Sequence, residues 1–402
     1  MKHKLLPLAF VLLLSGCSFE KSHRSNADDI RCQSPQPEYT EETEVINGYE
    51  PKNYERVKGM WLSYIDLAPM LSCENAEDLE AVFGEACRNI SELGCNTVYV
   101  HVRPFGDAAY TSSLYPPSSY VGGDYDPLEV ICEKAHEYGL SVHAWINPLR
   151  LQSADVLSQY DDYATAEWFK SADERVRYVE GDEHLWLDPA FPEVRDLVAD
   201  GAAEIAENYD IDGIHYDDYF YPTTEPEFDA QCYSEYGGGK SLSEWRTENI
   251  TKMCREIYSS VKAVDERIEV SISPQGNIEN NKEKLYADVE SWCSSDGHCD
   301  RIIPQIYFGY ENPVKPFIST LEEWQDIRTN EKVRLTIGLA PYKIGNEDEF
   351  TDNTGIIASQ IEDSKARQGI SLYSYGSLFG ENKDESRIIY ERELIRKALE
   401  NY

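Results

Sequence analysis

From residue 57 onward, short apolar or alternating runs are each followed by a stretch with helical spacing. The strand candidates are Val57 to Asp66, Thr97 to Pro104, Ser141 to Pro148, Asp212 to Tyr219, Glu269 to Pro274, Arg301 to Phe308, Arg334 to Tyr342 and Gly369 to Gly376. Between them lie well-punctuated helices. Leu79, Val82, Phe83, Ala86, Ile90 and Leu93 form one stripe, which Gly94 is placed to end. Asp126-Pro127-Leu128-Glu129 sets an N-cap before Pro at the first helical position, and that helix closes at Gly139. Val194 to Tyr209 carries the next stripe, and Ser241 to Glu244 is a capping box before Trp245, Met253, Ile257, Val261 and Val264. Helical spacing also fits 279–292, 315–328, 355–368 and 384–400. Eight strand-then-helix units predict an α/β fold, a (β/α)₈ TIM barrel closed by right-handed crossovers. No Gly-x-Gly-x-x-Gly follows the first strand, which argues against a dinucleotide-binding sheet.

The phase within the strands carries the chemical information. In the second, Val98, Val100 and Val102 oppose Tyr99, His101 and Arg103; in the third, Val142, Ala144 and Ile146 oppose His143, Trp145 and Asn147; in the fourth, Ile214 and Tyr216 oppose His215 and Asp217. Side chains alternate faces, and the outer face of a barrel must pack on helices, so the polar set is expected in the lumen. Burying it is costly unless a site uses it. On the same phase the later strands offer Ser271, Ser273 and Gln275, then Gln305 and Tyr307, Tyr342, and Tyr373 and Tyr375. Asp217 is the one carboxylate this alternation puts inside the barrel at a strand end. Asp218, by the same phase, turns away or caps the loop. Asp66, Asp107 and Asp188 are further candidates for a second acid. His215 is placed to hydrogen-bond Asp217 and tune it.

Long connections follow strands two, three and four, at 105–125, 149–192 and 220–240. Loops after strands lie on the C-terminal face, where barrel chemistry is done. They are rich in aromatic residues, and the chain has 28 Tyr and 7 Trp, which suits stacking on sugar rings as well as packing the loops down. A carboxylic acid beside such surfaces suits glycosidic bond cleavage, where one acid protonates the leaving oxygen and a second carboxylate attacks the sugar or activates water.

Ahead of the barrel, Met1 to Leu14 reads as a basic start and an apolar run, and Leu14-Ser15-Gly16-Cys17 ends it. This is a secretory signal resembling a bacterial lipobox, so Cys17 is expected to carry lipid and the protein to be exported and anchored to a membrane, facing the periplasm or the exterior. Residues 18–55 read as a flexible tether and 56–402 as the barrel. Loss of Lys2 and Lys4 with the leader takes the formal charge from −37 to −39. Such a surface repels nucleic acid, which is not an expected partner. An odd number of cysteines follows Cys17, and only Cys293 and Cys299 are spaced for a local disulfide, with two free thiols the equal alternative.

The segments Lys58 to Leu62, Val98 to Pro104, His143 to Pro148, Trp186 to Pro189 and, most specifically, Asp212 to Pro222 resemble the glycosyl-hydrolase-like family 10 lipoproteins, a bacterial group of (β/α)₈ barrels. The resemblance covers roughly residues 56–380. It implies hydrolysis of a cell-wall or envelope glycan, either peptidoglycan strands or an amino-sugar polysaccharide. Asp217 and Asp218 would be the acids. The polar residues at the ends of strands two and three, His101, Arg103, His143, Trp145 and Asn147, would contact sugar, and His215, Gln305, Tyr307, Tyr342 and Tyr375 on the inward phase, with Asp188, are expected to join them. No cofactor or metal is implied, and the chain is expected to act as a monomer. Two other readings remain open. His101, His143, His215 and Asp217 could form a Zn²⁺ set, although no His-x-His or His-Glu-x-x-His spacing supports it. The barrel could also bind glycan without turnover.

Overall fold

The β-branched and aromatic runs form parallel strands around one barrel in the computed structural model, which describes residues 48–402. The lipid-attachment expectation for Cys17 and the tether up to residue 47 lie outside the described residues. The barrel strands are β1 (Val57–Leu62), β2 (Thr97–Arg103) and β3 (Ser141–Ile146), followed after an insertion by β7 (Gly213–Tyr216), β8 (Glu269–Ile272), β9 (Arg301–Ile302), β10 (Arg334–Leu335), β11 (Ile337–Leu339) and β12 (Gly369–Tyr373). Their order is β10-β9-β8-β7-β3-β2-β1-β12-β11. β10 and β11 are two halves of one chain pass on either side of Thr336: β10 pairs with β9 and β11 with β12, so the ninth label adds no ninth pass and the ring closes. The expected eightfold barrel is present. The sixth strand is much shorter than 301–308, because Pro304 has no N–H for a ladder; beyond it, single bridges join Gln275, Gln305 and Gly338.

The insertion after β3 holds a small antiparallel sheet, β4 (Arg150–Ser153), β5 (Val176–Tyr178) and β6 (His184–Leu187) in the order β4-β6-β5, with the short helices α4 (Ala154–Leu157) and α5 (Ala164–Lys170). A helix the pattern did not predict, α1 (Tyr64–Leu71), starts directly after β1, because Ser63 and Asp66 form a capping box and end the strand early. The outer ring continues with α2 (Ala76–Leu93), α3 (Pro127–Glu137), α6 (Pro192–Asn208), α7 (Ala230–Tyr236) and α8 (Leu242–Val264). The stretch expected as one helix over 279–292 is two, α9 (Ile278–Lys284) and α10 (Val289–Ser294), since Tyr286 sits at φ 56° and Asp288 caps anew. α11 (Phe317–Ile327), α12 (Ile356–Asp363), α13 (Tyr375–Phe379) and α14 (Ser386–Glu400) complete it.

Two cores result. Val98, Val100, Val142, Ala144, Ile214 and Tyr216 pack outward against the helices. The lumen is a separate cluster of Val57, Trp61, Tyr99, Trp145 and Ile303. Its lower end is stoppered by residues before β1. Asn53 Oδ1 meets His143 Nε2 at 3.1 Å, and Tyr49 and the Lys52 backbone hydrogen-bond Asp212. Residues 49–54 are thus free of helix and strand, yet packed. Cys293 and Cys299 are separate buried thiols, so the local disulfide is not formed; Cys293 is turned into the core from α10.

Candidate active site

The strand ends converge on a cavity of about 320 Å³. Each of the eight passes contributes to its wall: Trp61, Ser63 and Tyr64; His101; Trp145 and Asn147; Asp217, Asp218 and Tyr219; Ser273; Gln305 and Tyr307; Tyr342; and Tyr373. Six buried polar atoms of this wall have no protein hydrogen-bond partner: both ring nitrogens of His101, Trp145 Nε1, Asn147 Oδ1, Asp217 Oδ1 and Ser273 Oγ. Folded chains rarely leave such atoms unpaired, and a concentration of them marks a surface built for a polar ligand. The cavity runs on into a groove of about 970 Å³ that shares Ser63, Tyr342 and Tyr373 with it.

Asp217 is 6% exposed. Burial, and after it the neighbouring Asp218 carboxylate, push its acid well above the usual carboxylate range. Burial raises Asp218 as well, but amides from Gln275 and Gln305 oppose this, Gln305 Nε2 donating to Oδ1 at 3.1 Å. The phase expectation that Asp218 turns away is therefore corrected. β7 ends at Tyr216, so strict alternation no longer holds, and both aspartates face the cavity. His101 lies flat on Trp145, centroids 3.7 Å apart at 6°; burial first, and the Arg150 charge in the same direction, bring its imidazole down to about 3. It is neutral, able to donate at one nitrogen and accept at the other.

Residues 56–353 match the sequence profile of the family described as Glycosyl hydrolase-like 10. The chain belongs to that family. It is 28% identical over 355 residues to the glycosyl hydrolase DigH of Escherichia coli K12, across 75% of this chain and 77% of that one. It is 32% identical over 286 residues to the glycosyl hydrolase YngK of Bacillus subtilis, across 64% and 55% respectively. In fold it is similar to the glycoside hydrolase domain of PgaB (BpsB) from Bordetella bronchiseptica, with a TM-score of 0.56 at 10% identity over 85% of this chain and 99% of that domain. Family membership places the chain among glycoside hydrolases.

Several residues expected at the sugar lie elsewhere in this family member. Arg103 points out of the barrel: the β2–β3 register slips between His101 and Arg103, the bulge flips the phase, and the guanidinium lies over Tyr115, 4.1 Å from the ring centre, in space left by Gly201 of α6. His143 sits low in the lumen, against Asn53 and Gly213, where a Cβ would come within 2.4 Å of its ring. His215 lies beneath the cavity and does not reach Asp217. Its Nε2 accepts from Trp61 Nε1 at 3.0 Å and its Nδ1 lies 2.8 Å from Ser271 Oγ, which fixes it as a neutral Nδ1–H ring. Tyr375 belongs to α13 because the strand stops at Tyr373; it accepts from Asn89 in the adjoining groove. Asp188 is buried off the cavity, with Asp229, Arg177 and Arg246 nearby. The other second-acid candidates are occupied. Asp66 accepts from Ser63 N, Ser63 Oγ and Gly376 N, and Asp107 from Phe105 N. The postulated Zn²⁺ residues therefore occupy different levels of the barrel, and among the described residues no group of three His, Cys, Asp or Glu side chains could hold a metal ion.

Trp61 joins the cavity wall as well, and the first strand carries the signal: Gly59, Trp61 and Ser63 alternate with Met60 and Leu62 as the later strands do. Trp61→Phe should keep the packing but leave His215 Nε2 without its donor. The expected cost is about 1–3 kcal/mol, read as a lower melting temperature. Asp188 gives a second check. Burial raises it to about 7, with its Oδ2 unpaired. An acid raised on folding favours the native state below its unfolded value, near 3.8, and that contribution is lost as pH rises through the folded value. Melting of Asp188→Asn should therefore gain on the natural protein between pH 4 and pH 8, whereas equal shifts across that range would contradict it.

Proposed function

We propose that this chain hydrolyses glycosidic bonds in a bacterial cell-wall or envelope glycan, in peptidoglycan strands or an amino-sugar polysaccharide, with Asp217 donating the proton and Asp218 as its partner. The observation that carries the reading is buried Asp217 beside part-buried Asp218, in a wall where six buried polar atoms, one of them on Asp217 itself, lack protein partners. An acid held protonated by burial is what the leaving oxygen requires, and neutral His101, Trp145 Nε1, Asn147 and Ser273 offer donors and acceptors without charge. Trp145, Tyr307 and Tyr373 supply ring faces. The groove leading from the cavity suits a polymer, with one unit in the pocket and its neighbours beyond. Anchoring through Cys17, and export with it, belong to the same proposal, since they would hold the barrel where such glycans lie. No nucleic acid and no second copy of the chain are needed for this chemistry.

Incubating the full chain with purified peptidoglycan and with peptide-free glycan strands, and analysing soluble fragments by mass spectrometry, tests the proposal. Fragments should appear with the natural protein and vanish with Asp217→Asn or Asp218→Asn. Undiminished release by both variants would reject these residues. Binding with no release would leave only a glycan-binding barrel.

A further inference from the structure

In the two common routes of glycoside hydrolysis, the acid and its partner carboxylate stand on opposite faces of the sugar. They are about 5–5.5 Å apart when the partner attacks C1, and about 6.5–9.5 Å apart when it activates water. Among the described residues this pocket has no such pair on opposite walls, and Asp217 and Asp218 are the only carboxylates that line it. They are consecutive, with Cα atoms about 3.8 Å apart, and both enter from the end of β7. The passes facing β7 across the barrel, β11, β12 and β1, contribute Tyr342, Tyr373, Trp61, Ser63 and Tyr64, none of them an acid. Asp66, in the adjoining groove, already accepts three hydrogen bonds as a helix cap. A phenolate does not fill the gap either, since burial pushes the Tyr307 and Tyr373 hydroxyls well up and keeps them neutral. The wall has a proton donor and a second carboxyl beside it, but among the described residues nothing on the far face to attack C1.

We infer that the nucleophile comes from the substrate: the pocket takes a 2-acetamido-2-deoxy sugar whose own carbonyl oxygen attacks C1 while Asp217 protonates the leaving oxygen and Asp218 receives the amide N–H. This rests on the glycosidase reading above and names its substrate class and mechanism. In the first step the C1–O glycosidic bond breaks, and its electron pair leaves on the oxygen that takes the Asp217 proton. The acetamido oxygen bonds to C1, and the amide proton passes to Asp218, giving a neutral oxazoline. Water then attacks C1 and returns a proton to Asp217. The oxazoline C1–O bond opens and the nitrogen recovers its proton from Asp218. One water is consumed, both aspartates are restored, and two displacements at C1 retain its configuration. The surroundings divide the roles in this way: Asp217 Oδ1 is unpartnered and free to meet the leaving oxygen, whereas Gln305 Nε2 already donates to Asp218 Oδ1 and so sets that carboxyl as an acceptor, the role an amide N–H requires.

The test uses the full chain and one preparation of peptide-free glycan strands in two forms, N-acetyl and N-trifluoroacetyl, with early products read by NMR for anomeric configuration. Fluorine withdraws electrons from the carbonyl with little change of size. A neighbouring group replaced by an outside nucleophile forfeits a large effective concentration, so the trifluoroacetyl strands should be cut at least about 100-fold more slowly. The product from N-acetyl strands should retain its configuration. Rates within threefold of each other, or an inverted product, would overturn the inference and leave the glycosidase reading standing. No cleavage of the N-acetyl strands would overturn both.

Discussion

Asp217→Asn should reduce turnover at least about 1,000-fold while making the protein harder to unfold, an effect that grows with pH. General acid catalysis contributes about 10²–10⁴ in rate, and the amide keeps the shape of the acid but has no transferable proton. The stability gain follows from the same burial. The folded-state carboxyl is raised by desolvation first and by Asp218 second. Below the unfolded value, near 3.8, both states hold the proton and the variant gains little. As pH climbs toward the raised folded value, the unfolded chain ionises first and the native protein loses ground to the variant. An uncharged Asn avoids that cost, which for a buried group left unpaired is about 1–3 kcal/mol or more. Melting curves at pH 5 and pH 8 should show the gap between variant and natural protein widening at the higher pH. A constant gap, or a variant less stable at both, would mean that Asp217 is not held protonated, and with it the assignment as acid fails. The alkaline limb of the natural enzyme's rate profile should report the same ionisation.

Where the backbone stayed regular, the sequence was a sufficient guide. Alternation predicts His101, Trp145 and Asp217 at the cavity because β2, β3 and β7 hold their phase up to those positions. It misplaces Arg103 because a bulge adds one residue just before it, and nothing in the run Val100 to Pro104 signals a bulge. It misplaces Tyr375 because β12 stops two residues earlier, and it turns Asp218 away because the chain has already left the strand. His143 and His215 do lie in the lumen, but phase says which face a side chain takes and not how high it sits. Height depends on which residues the neighbouring passes place beside it, as Gly213 does for His143. Asp66, Asp107 and Asp188 are equivalent as letters; only their hydrogen bonds show that two serve the backbone and that one is buried elsewhere. The insertion after β3 was legible as a loop of the catalytic face, whereas its small sheet pairs β4 with β6 across more than thirty residues of sequence, beyond the reach of local pattern.

At the opposite end of the barrel, Arg301→Ala should cost about 3–5 kcal/mol of stability with no change in turnover per folded molecule. Arg301 is fully buried, and its five donors find five acceptors: Glu269 Oε1 at 2.7 Å and Oε2 at 3.0 Å, Thr336 Oγ1 at 2.9 Å, and the carbonyls of Tyr54 and Gln368. It thereby ties β8, β9, the Thr336 junction, the approach to β12 and the segment before β1 into one floor. Removal leaves Glu269 buried with only Arg334, which is half in solvent. Lysine cannot replace it, since a single ammonium matches neither the carboxylate fork nor the spread of carbonyls. The acid side gives an independent reading. Burial alone would raise Glu269, but the Arg301 charge and its hydrogen bonds outweigh it and bring the group down to about 2. A carboxylate lowered on folding contributes stability that is complete above its unfolded value, near 4.5, and lost as pH falls through about 2. The natural protein should therefore lose roughly 3 kcal/mol from this group across that window. The Arg301→Ala protein should show a much smaller acid limb, because only the part-exposed Arg334 then remains paired with Glu269. Denaturant melts at pH 2.5, 4 and 7 separate the two, and parallel curves would show that the pair stabilises through packing and not through charge.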